Sequence, residues 1–473
     1  MRICLLAEGC YPYVAGGVSS WIQMLINGLP EHEFVIFAIG AEKKMKGQYK
    51  YDIPPNVVEI EEHFLDEYFE ANSAREKKIK ITDKEKQALT HLLLGEETEW
   101  DRLFRLFGPE SRVKANEFLS SDAFMDIIFE ISEKKYYHTP FKDTFWTVRS
   151  MLAPVLNLLK CRPPEADIYH SVSTGYAGVM GSLFRFVSGK PFIVTEHGIY
   201  SREREEEILK ADWVDTYYKQ TWIDFFNSMC RAAYYYGDRI ISLFHGARKM
   251  QIYLGADPER CGVIPNGINL ERFAHVPEVS LAPHPLAVGA IIRVVPIKDI
   301  KTMIQSFALV KAQRPDAVLY LIGPYDESPE YYQECREMIK TLDCRDIEFV
   351  GRVNVAEWME RLDMVILTSV SEGQPFVLLE AMAARRPVLA TNVGSCKEVI
   401  EGYQDEFGPA GVVVPVMNPP QIAAGILKIG STPEKMREYA REGYARVSKY
   451  YRDTDFLEAY RNLYEEVTGK WQE

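Results

Sequence analysis

The chain has 473 residues, of which 47% are hydrophobic and 26% charged, and this ordinary composition excludes a collagen-like, mucin-like or wholly disordered protein. Its net charge of −13 at pH 7 excludes a broad basic face for a nucleic-acid backbone, although a few local cations can still hold a small anion. At about 150 residues per domain, the length allows two or three domains.

The cysteines and the N-terminal residues of the chain indicate the cellular compartment. The eight cysteines are scattered and form no C-x-x-C pair, which predicts reduced thiols in a cytosolic protein. The opening MRICLLAEG lacks the long apolar region of a signal peptide, and residues 9–30 are too rich in Gly, Pro, Ser and Asn for a membrane helix. We therefore expect a soluble, cytoplasmic protein that reaches the inner membrane only through partner proteins.

The first part of the chain alternates between strand and helix signals. Residues 2–7 predict a buried parallel strand, and a loop ending in Gly16-Gly17 leads into an amphipathic helix and a second apolar strand at 34–39. Residues 61–160 are charged and poor in glycine, which predicts a helical insertion with helices at 83–94 and 111–131. The α/β pattern then returns, with strands predicted at 167–170, 191–195, 239–242 and 261–266.

A proline-rich, aperiodic segment at 274–285 predicts a linker between two domains. After it, strands are predicted at 286–292, 318–322, 347–350, 364–368, 387–391 and 411–415. We predict an N-terminal Rossmann-like domain over 1–275, joined by a closing helix at about 454–473, and a C-terminal Rossmann-like domain over 286–445. The predicted fold class is therefore α/β, with two Rossmann-like domains facing across a cleft in which the ligand binds.

The strongest motif is the segment 369–383, where an apolar strand leads into a glycine turn and a helix that we expect to begin near Pro375. Free backbone N–H groups at the helix start, together with the helix dipole, predict an anion site. Glu372 and Glu380 have seven residues between them, so the two carboxylates can accept hydrogen bonds from two parts of one ligand. The alternative is a surface glutamate followed by an unrelated helix glutamate.

A second motif, Arg293 followed by Lys298, comes directly after the first strand of the second half. Two cations there can clamp a diphosphate and stabilise a departing phosphate, although solvated surface cations are the alternative. In the first half, His197 directly follows an apolar strand, and it is predicted to be functional. His170 could equally be functional or structural. No G-x-G-x-x-G is present, and no His/Cys cluster has the spacing of metal ligands.

These residues resemble glycosyltransferase family 4. The resemblance rests on several segments of the sequence: Pro265-Asn266-Gly267-Ile268, Arg293-x4-Lys298, Ser371-Glu372-Gly373 with Glu380, Pro387-Val388-Leu389-Ala390-Thr391, and Gly394 with Glu398. It implies the GT-B fold and sugar transfer from a nucleotide donor, with retention at the anomeric carbon and without metal. One departure is Gly394-Ser395-Cys396, where many family members have two glycines.

The resemblance implies a donor site in the C-terminal half. Glu372 would bind donor-sugar hydroxyls, and Glu380 would bind the ribose diol. Arg293 and Lys298 would hold the diphosphate, while His197 would lie beside the donor sugar and the reacting centre. The catalytic set would be His197, Arg293, Lys298 and Glu372. Further donor contacts would come from Gly16, Gly17, Gly351, Val353, Gly373, Gln374, Pro375, Phe376 and Glu380.

The implied reaction uses a UDP-sugar, either UDP-glucose or a UDP-N-acetylhexosamine, as substrate and needs no cofactor. The implied partners are a polysaccharide acceptor and membrane-bound subunits of an exopolysaccharide export complex, with no nucleic acid. Departure of the diphosphate would leave an oxocarbenium-like centre that the acceptor attacks on the same face, without a covalent bond to Glu372. The alternatives are a UDP-sugar epimerase, a glucan phosphorylase and a non-catalytic sugar-nucleotide-binding subunit.

Overall fold

The computed structural model describes residues 1–68 and 79–469, which fall into two compact units. The first, termed the N unit, comprises residues 1–242 and 248–263 together with the end of the chain from 460. The second, termed the C unit, comprises residues 243–247 and 264–459.

The N unit is built on a seven-stranded sheet whose strand pairs are all parallel. Its strands are β1 (Arg2–Glu8), β2 (Glu33–Gly40), β3 (Val57–Phe64), β4 (Ile168–Ser171), β5 (Phe192–Glu196), β6 (Arg239–Ser242) and β7 (Cys261–Val263). The order in the sheet is β3-β2-β1-β4-β5-β6-β7. The sheet therefore grows outward from β1 in both directions, as in doubly wound α/β folds.

Ten helices begin in the described chain before β8. They are α1 (Gly17–Gly28), α2 (Asp83–Leu94), α3 (Trp100–Phe107), α4 (Ala115–Phe118), α5 (Asp122–Lys134), α6 (Phe141–Leu158), α7 (Tyr176–Ser188), α8 (Tyr200–Lys210), α9 (Thr216–Tyr236) and α10 (His245–Tyr253). Apolar side chains of α2 to α6 share one buried cluster with β1, β2 and α7. The helical insertion is thus part of the core of the N unit.

The helical insertion, predicted to begin at about residue 61, begins after β3, which occupies Val57–Phe64. This strand lies at the edge of the sheet and carries acidic side chains, which are common on edge strands and conceal the strand signal. The predicted helix at 83–94 is confirmed as α2, whereas the predicted helix at 111–131 is two helices. The break falls at Ser121, whose side chain caps α5 by accepting a hydrogen bond from the backbone N–H of Phe124.

The C unit has a six-stranded sheet with parallel pairs in the order β10-β9-β8-β11-β12-β13. The strands are β8 (Ala287–Ile291), β9 (Val318–Ile322), β10 (Ile347–Gly351), β11 (Met364–Leu367), β12 (Val388–Thr391) and β13 (Gly411–Val414). The helices of the C unit are α11 (Ile300–Gln313), α12 (Pro329–Thr341), α13 (Val355–Met359), α14 (Phe376–Ala383), α15 (Cys396–Glu401), α16 (Pro419–Ile429) and α17 (Pro433–Tyr450). The last helix, α18 (Asp453–Gly469), begins in the C unit and continues into the N unit from residue 460. All six strands lie where the sequence predicted them, to within one residue at each end.

The proline-rich segment 274–285 lies inside the C unit, whereas the chain leaves the N unit between residues 263 and 264. Val276 and Val279 are buried in the C-unit core, and the guanidinium of Arg386 donates a hydrogen bond to the Pro277 carbonyl at 2.8 Å. The proline content thus marks a segment packed on the C unit. Helix α18 covers most of the predicted closing helix, and residues 470–473 lie outside the described residues.

Within the described ranges, no helix combines the length and the apolar character needed to cross a membrane. All eight cysteines are free.

A pH effect on stability is expected at His284, on the segment that leads into β8. Its two ring nitrogens lie 2.8 Å from the Ala282 carbonyl and 2.7 Å from Asp363, so the doubly protonated ring can donate both hydrogen bonds. These bonds raise the pKa of His284 above its ordinary 6.5. The stabilisation is therefore fully present below pH 6.5 and is lost as the pH rises through the raised value.

We expect urea unfolding of the C unit to lose about 0.5–1 kcal/mol between pH 6 and pH 9 through this pair, which is partly exposed. The comparison is with His284→Ala, in which this component of the pH dependence should vanish. An identical pH profile in the two proteins would contradict the prediction.

Candidate functional site

The loops after β8 and β11 lie side by side at the carboxyl edge of the C-unit sheet, since these two strands are neighbours. The hydroxyl of Thr368 donates to the carbonyl of Lys298 at 3.1 Å, and the N–H of Val370 donates to the carbonyl of Ile297 at 3.0 Å. The two motifs found in the sequence are therefore held together by hydrogen bonds to the backbone carbonyls of the first motif. Ligands of parallel α/β sheets bind at this edge.

Lys298 and Glu372 form an ion pair at the centre of this edge. The ammonium lies 2.5 Å from Glu372 Oε1, which also accepts a hydrogen bond from the hydroxyl of Ser369 at 2.5 Å. Only 17% of the Lys298 side chain and 11% of the Glu372 side chain are exposed. A mostly desolvated pair of this kind provides one cation and one carboxylate in a fixed geometry.

The turn that carries Glu372 packs closely against the start of α15. Gly394 has a φ of +51°, and a Cβ there would lie 2.1 Å from the Glu372 carbonyl oxygen. The Ser395 N–H donates to the Gly373 carbonyl at 2.9 Å. Glycine is therefore required at 394, and the Ser395-Cys396 departure from the family pattern is accommodated without opening this turn.

Helix α14 begins at Phe376, next to the predicted start near Pro375; Pro375 is its N-cap, and no side chain caps its first turn. The first backbone N–H groups of the helix are therefore available to an anion. The Gln374 side-chain oxygen is already engaged, because Oε1 accepts a hydrogen bond from the Asn266 backbone N–H at 2.5 Å. The side-chain oxygen of Gln374 is thus not available to a ligand.

Glu380 lies on α14 with 17% of its side chain exposed, and its carboxylate is 3.2 Å from a guanidinium nitrogen of Arg272. Burial raises the pKa of Glu380, while the positive charge of Arg272 opposes that rise. The sequence did not indicate Arg272. Arg272 follows a segment of irregular backbone, where no hydrophobic periodicity indicates which way a side chain points.

Arg293 is more exposed than Lys298, at 46%, and pairs with Glu327 on the loop after β9 at 2.8 Å. Gly351 ends β10 with a φ of +82°, and a Cβ there would lie 3.6 Å from the ring of Tyr325. Val353 packs against the core of the C unit. The residues predicted to contact the donor in the second half thus all lie on α14 or at the carboxyl ends of β8, β10 and β11.

In the N unit, Gly16 and Gly17 form the N-terminus of α1, where a Cβ would meet no atom within 4 Å at either position. The extended backbone of Gly16 suits any residue, so neither strain nor crowding explains this glycine pair. His170 is a core residue: it is fully buried between hydroxyls of Tyr464 at 2.7 Å and Thr195 at 2.8 Å. The functional interpretation of His170 is therefore not supported by its surroundings.

His197 follows β5 and lies edge-on to the Trp21 ring, with 4.8 Å between ring centroids. Burial lowers the pKa of His197 to about 3, so the imidazole is neutral at physiological pH. Its Nε2 is buried and has no hydrogen-bond partner among the described residues.

The sequence analysis missed the function of Glu196, which fixes this turn. Its carboxylate accepts hydrogen bonds from the hydroxyls of Thr174 and Tyr234, the Gln251 amide and the Tyr200 backbone N–H, all at 2.8–3.0 Å.

The described residues contain no group of three or more His, Cys, Asp or Glu side chains arranged to hold a metal ion. The two units, each built on a parallel-stranded sheet with helices, have the GT-B class of fold. The chain belongs to the family described as "Domain of unknown function (DUF3492)", which matches residues 1–259, and residues 282–431 match "Glycosyl transferases group 1".

Solved structures and sequence relatives agree with this assignment. Anabaena Alr3699/HepE in complex with UDP superimposes with a TM-score of 0.61 at 16% identity, over 98% of this chain and 100% of that one. Sucrose-phosphate synthase from Thermosynechococcus elongatus gives a TM-score of 0.63 at 16% identity, over 99% of both chains. D-inositol 3-phosphate glycosyltransferase of Jonesia denitrificans is 27% identical over 235 residues, covering 45% of this chain and 54% of that protein. The chain spans about half the length of the curated relatives it matches.

Proposed function

We propose that the protein is a retaining, metal-independent glycosyltransferase that moves a sugar from a UDP-sugar onto a growing exopolysaccharide. The observation that carries the proposal is the Lys298–Glu372 pair beside the uncapped start of α14. This combination provides a cation and free N–H groups for a diphosphate, and a carboxylate for sugar hydroxyls, within one rigid edge. The HepE structures with UDP and with UDP-glucose support UDP-glucose as a candidate donor, with a UDP-N-acetylhexosamine as the other.

In the proposed reaction the glycosidic C–O bond to the diphosphate breaks and its electron pair leaves with UDP. Lys298, Arg293 and the N–H groups of α14 stabilise the charge that develops on the leaving phosphate. The acceptor hydroxyl attacks the same face of the sugar, and its proton passes to the departing phosphate. In the proposal Glu372 binds sugar hydroxyls and is not the nucleophile; Lys298 and Ser369 hold its Oε1 and so fix the carboxylate for that binding.

His197 and Glu380 complete the proposed set. A neutral imidazole with an unpartnered nitrogen can accept or donate one hydrogen bond to a sugar hydroxyl. Glu380, with its partly buried carboxylate, binds the ribose diol in the proposal. The backbone opening at Gly16-Gly17 gives a phosphate or an acceptor close access to the start of α1.

The wording of the motifs, especially Glu196-His197-Gly198-Ile199-Tyr200 and Ser371-Glu372-Gly373-Gln374-Pro375, is similar to PelF, the cytosolic transferase of Pel exopolysaccharide synthesis. We accordingly propose a cytoplasmic enzyme of biofilm polysaccharide synthesis. Its proposed partners are membrane-bound subunits of a Pel-type export complex, which would hold it at the inner membrane.

The test is a donor panel of UDP-, GDP- and ADP-sugars with release of the nucleoside diphosphate as readout. We expect UDP release from a UDP-sugar, with loss of turnover in Glu372→Gln. Tight UDP binding without turnover on any acceptor would replace the proposal with a non-catalytic binding subunit. Conversion of the donor to its epimer, seen by NMR, would replace it with an epimerase.

A further inference from the structure

Glu380 lies four residues after Phe376, the first residue of α14, and therefore on nearly the same side of the helix. The two Cα atoms are about 6 Å apart along the helix axis. Side chains of a helix lean toward its N-terminus, so the Glu380 carboxylate is directed back toward the turn whose N–H groups are free to bind an anion. This spacing suits a ligand that carries a pair of hydroxyls close to a phosphate.

The Glu380 carboxylate depends on one cation. Only 17% of its side chain is exposed, and among the described residues Arg272 is the one partner with which it forms an ion pair. Nη1 of the guanidinium donates to Oε1 at 3.2 Å, and no other group in the described chain donates a hydrogen bond to this carboxylate. A carboxylate has about four lone-pair positions, so places for two further hydroxyl donors remain.

Local contacts hold Arg272 in place. Its backbone N–H donates to the side-chain oxygen of Asn269 at 3.1 Å, which closes the short 3₁₀ turn at Glu271–Phe273. The Phe273 side chain is fully buried in the core of the C unit, and its ring centre lies 5.3 Å from the guanidinium carbon of Arg272. The turn and this cation–π contact fix a half-exposed side chain beside Glu380, which is 108 residues away in the sequence.

The contact prepares the carboxylate for hydroxyls and does not close it off, because Arg272 occupies one oxygen at a single point. Burial raises the pKa of Glu380, and the positive charge of Arg272 opposes that rise. Without this cation the carboxyl group would shift toward its neutral form, which carries a proton and is a weaker acceptor for hydroxyls. Arg272 therefore determines how well Glu380 accepts hydrogen bonds.

We infer that Arg272 is a positioning residue of the donor site, which holds the Glu380 carboxylate charged and oriented for the ribose diol and so makes the site select ribose over deoxyribose. The inference rests on the proposed function, in which Glu380 binds the ribose, and it adds the residue on which that binding depends. In this role Arg272 acts through Glu380 and does not contact the bond that breaks. Its loss should therefore weaken nucleotide binding and leave the chemical step unchanged.

The experiment compares the Kd of UDP with that of 2′-deoxy-UDP, by isothermal titration calorimetry on the full chain. In the unmodified protein we expect UDP to bind about ten- to a hundredfold more tightly, the range for one hydrogen bond to a charged group. Arg272→Met should lower this ratio about four- to tenfold, because a hydrogen bond to a neutral group is roughly half as strong. In UDP release from the working donor, KM should rise while kcat changes less than about twofold.

Three further variants separate positioning from a general loss of structure. Arg272→Lys keeps the positive charge, so its ratio should be higher than that of Arg272→Met. Arg272→Met/Glu380→Gln should match Glu380→Gln alone, because Arg272 acts through Glu380. Arg345→Met is the matched control and should leave the ratio unchanged, since it removes an 86% exposed guanidinium elsewhere in the C unit. If Arg272→Met does not fold, as judged by circular dichroism, Arg272→Gln takes its place.

Two results would overturn the inference and leave the proposed function intact, provided that UDP is still released from a UDP-sugar. One is an equal loss of affinity for both nucleotides in folded Arg272→Met, which would show a structural role only. The other is tighter UDP binding in this variant, because Arg272 would then compete with the ribose. A ratio in Arg272→Lys no higher than in Arg272→Met would likewise contradict a role for the charge. A chain that neither binds UDP nor releases it from any donor would contradict the proposed function and, with it, the inference.

Discussion

Replacing Lys298 by alanine should lower kcat/KM for UDP release from the working donor by about 10²–10³-fold, the range found when one preorganised donor to a developing negative charge is removed. The Thr368 hydroxyl holds the backbone carbonyl of Lys298, and Glu372 holds its ammonium, so the ammonium is in position before the reaction begins. Its loss also leaves Glu372 as a mostly buried carboxylate without its cation. The readout is steady-state UDP release, with circular dichroism and urea unfolding to confirm that the variant is folded.

The matched control is Lys301→Ala. Lys301 lies three residues further along, at the start of α11, and its ammonium pairs with Glu334 at 2.7 Å. Its removal should change kcat/KM less than twofold, since it stabilises nothing at the sheet edge. In the double variant Lys298→Ala/Glu372→Gln, the loss of kcat/KM should be far smaller than the sum of the two single losses in free energy, because the two side chains act as one unit. Unchanged turnover in folded Lys298→Ala would remove this edge from the proposed mechanism.

Most strands could be predicted from the sequence because they are short apolar runs bounded by Gly, Pro or polar residues. Residues 318–322 and 239–242 illustrate this, and both were predicted with the observed bounds. β3 could not be found in this way, since an edge strand needs only one buried face and this one carries Glu59, Glu61 and Glu62. The linker prediction relied on proline content, which reports local backbone restriction and not whether a segment packs on a domain.

The residues of the candidate site likewise fall into those that the sequence predicts and those that it does not. Glu372 and Lys298 were predicted because each follows a strand, and adjacent parallel strands bring such residues to one edge. Arg272 and Glu327 could not be predicted, because their pairing with Glu380 and Arg293 depends on how irregular loops fold back. Nothing in a single sequence reports such contacts.

The two histidines of the N unit show the limit of reasoning from position alone. His170 is the last residue but one of β4 and His197 directly follows β5, so nearness to the end of an apolar strand does not separate them. Their surroundings do: His170 has partners for both ring nitrogens, at Tyr464 and Thr195, whereas Nε2 of His197 has none in the described chain. Hydrogen bonds at both ring nitrogens indicate a structural histidine, whereas the unpartnered nitrogen leaves His197 able to bind a ligand in the proposed function.

The largest expected effect on stability is at Arg446, in the C-terminal part of α17, where the side chain is 1% exposed. Its guanidinium forms a two-point contact with Asp405 at 2.7 and 3.1 Å, and it also donates to the carbonyls of Ile400, Phe407 and Gly408 at 2.9–3.1 Å. Burial opposes ionisation of Asp405, yet the hydrogen bonds of Arg446 hold the pKa of that carboxyl below its ordinary value. The one guanidinium therefore joins the end of α15 to three residues of the loop that precedes β13.

Arg446→Met should lower the unfolding free energy of the C unit by about 3–5 kcal/mol, because it leaves an uncompensated buried carboxylate and several carbonyls without a donor. Urea unfolding followed by a probe in the C unit measures this, and Arg441→Met, exposed on the same helix, should change it by less than about 0.5 kcal/mol. Adding Asp405→Leu to Arg446→Met should recover part of the loss, since the unpaired charge is then gone while the carbonyls still lack their donor. A loss as small as that of Arg441→Met would show that water reaches this loop and replaces the guanidinium. The carbonyl contacts would then contribute little to the stability of the C unit.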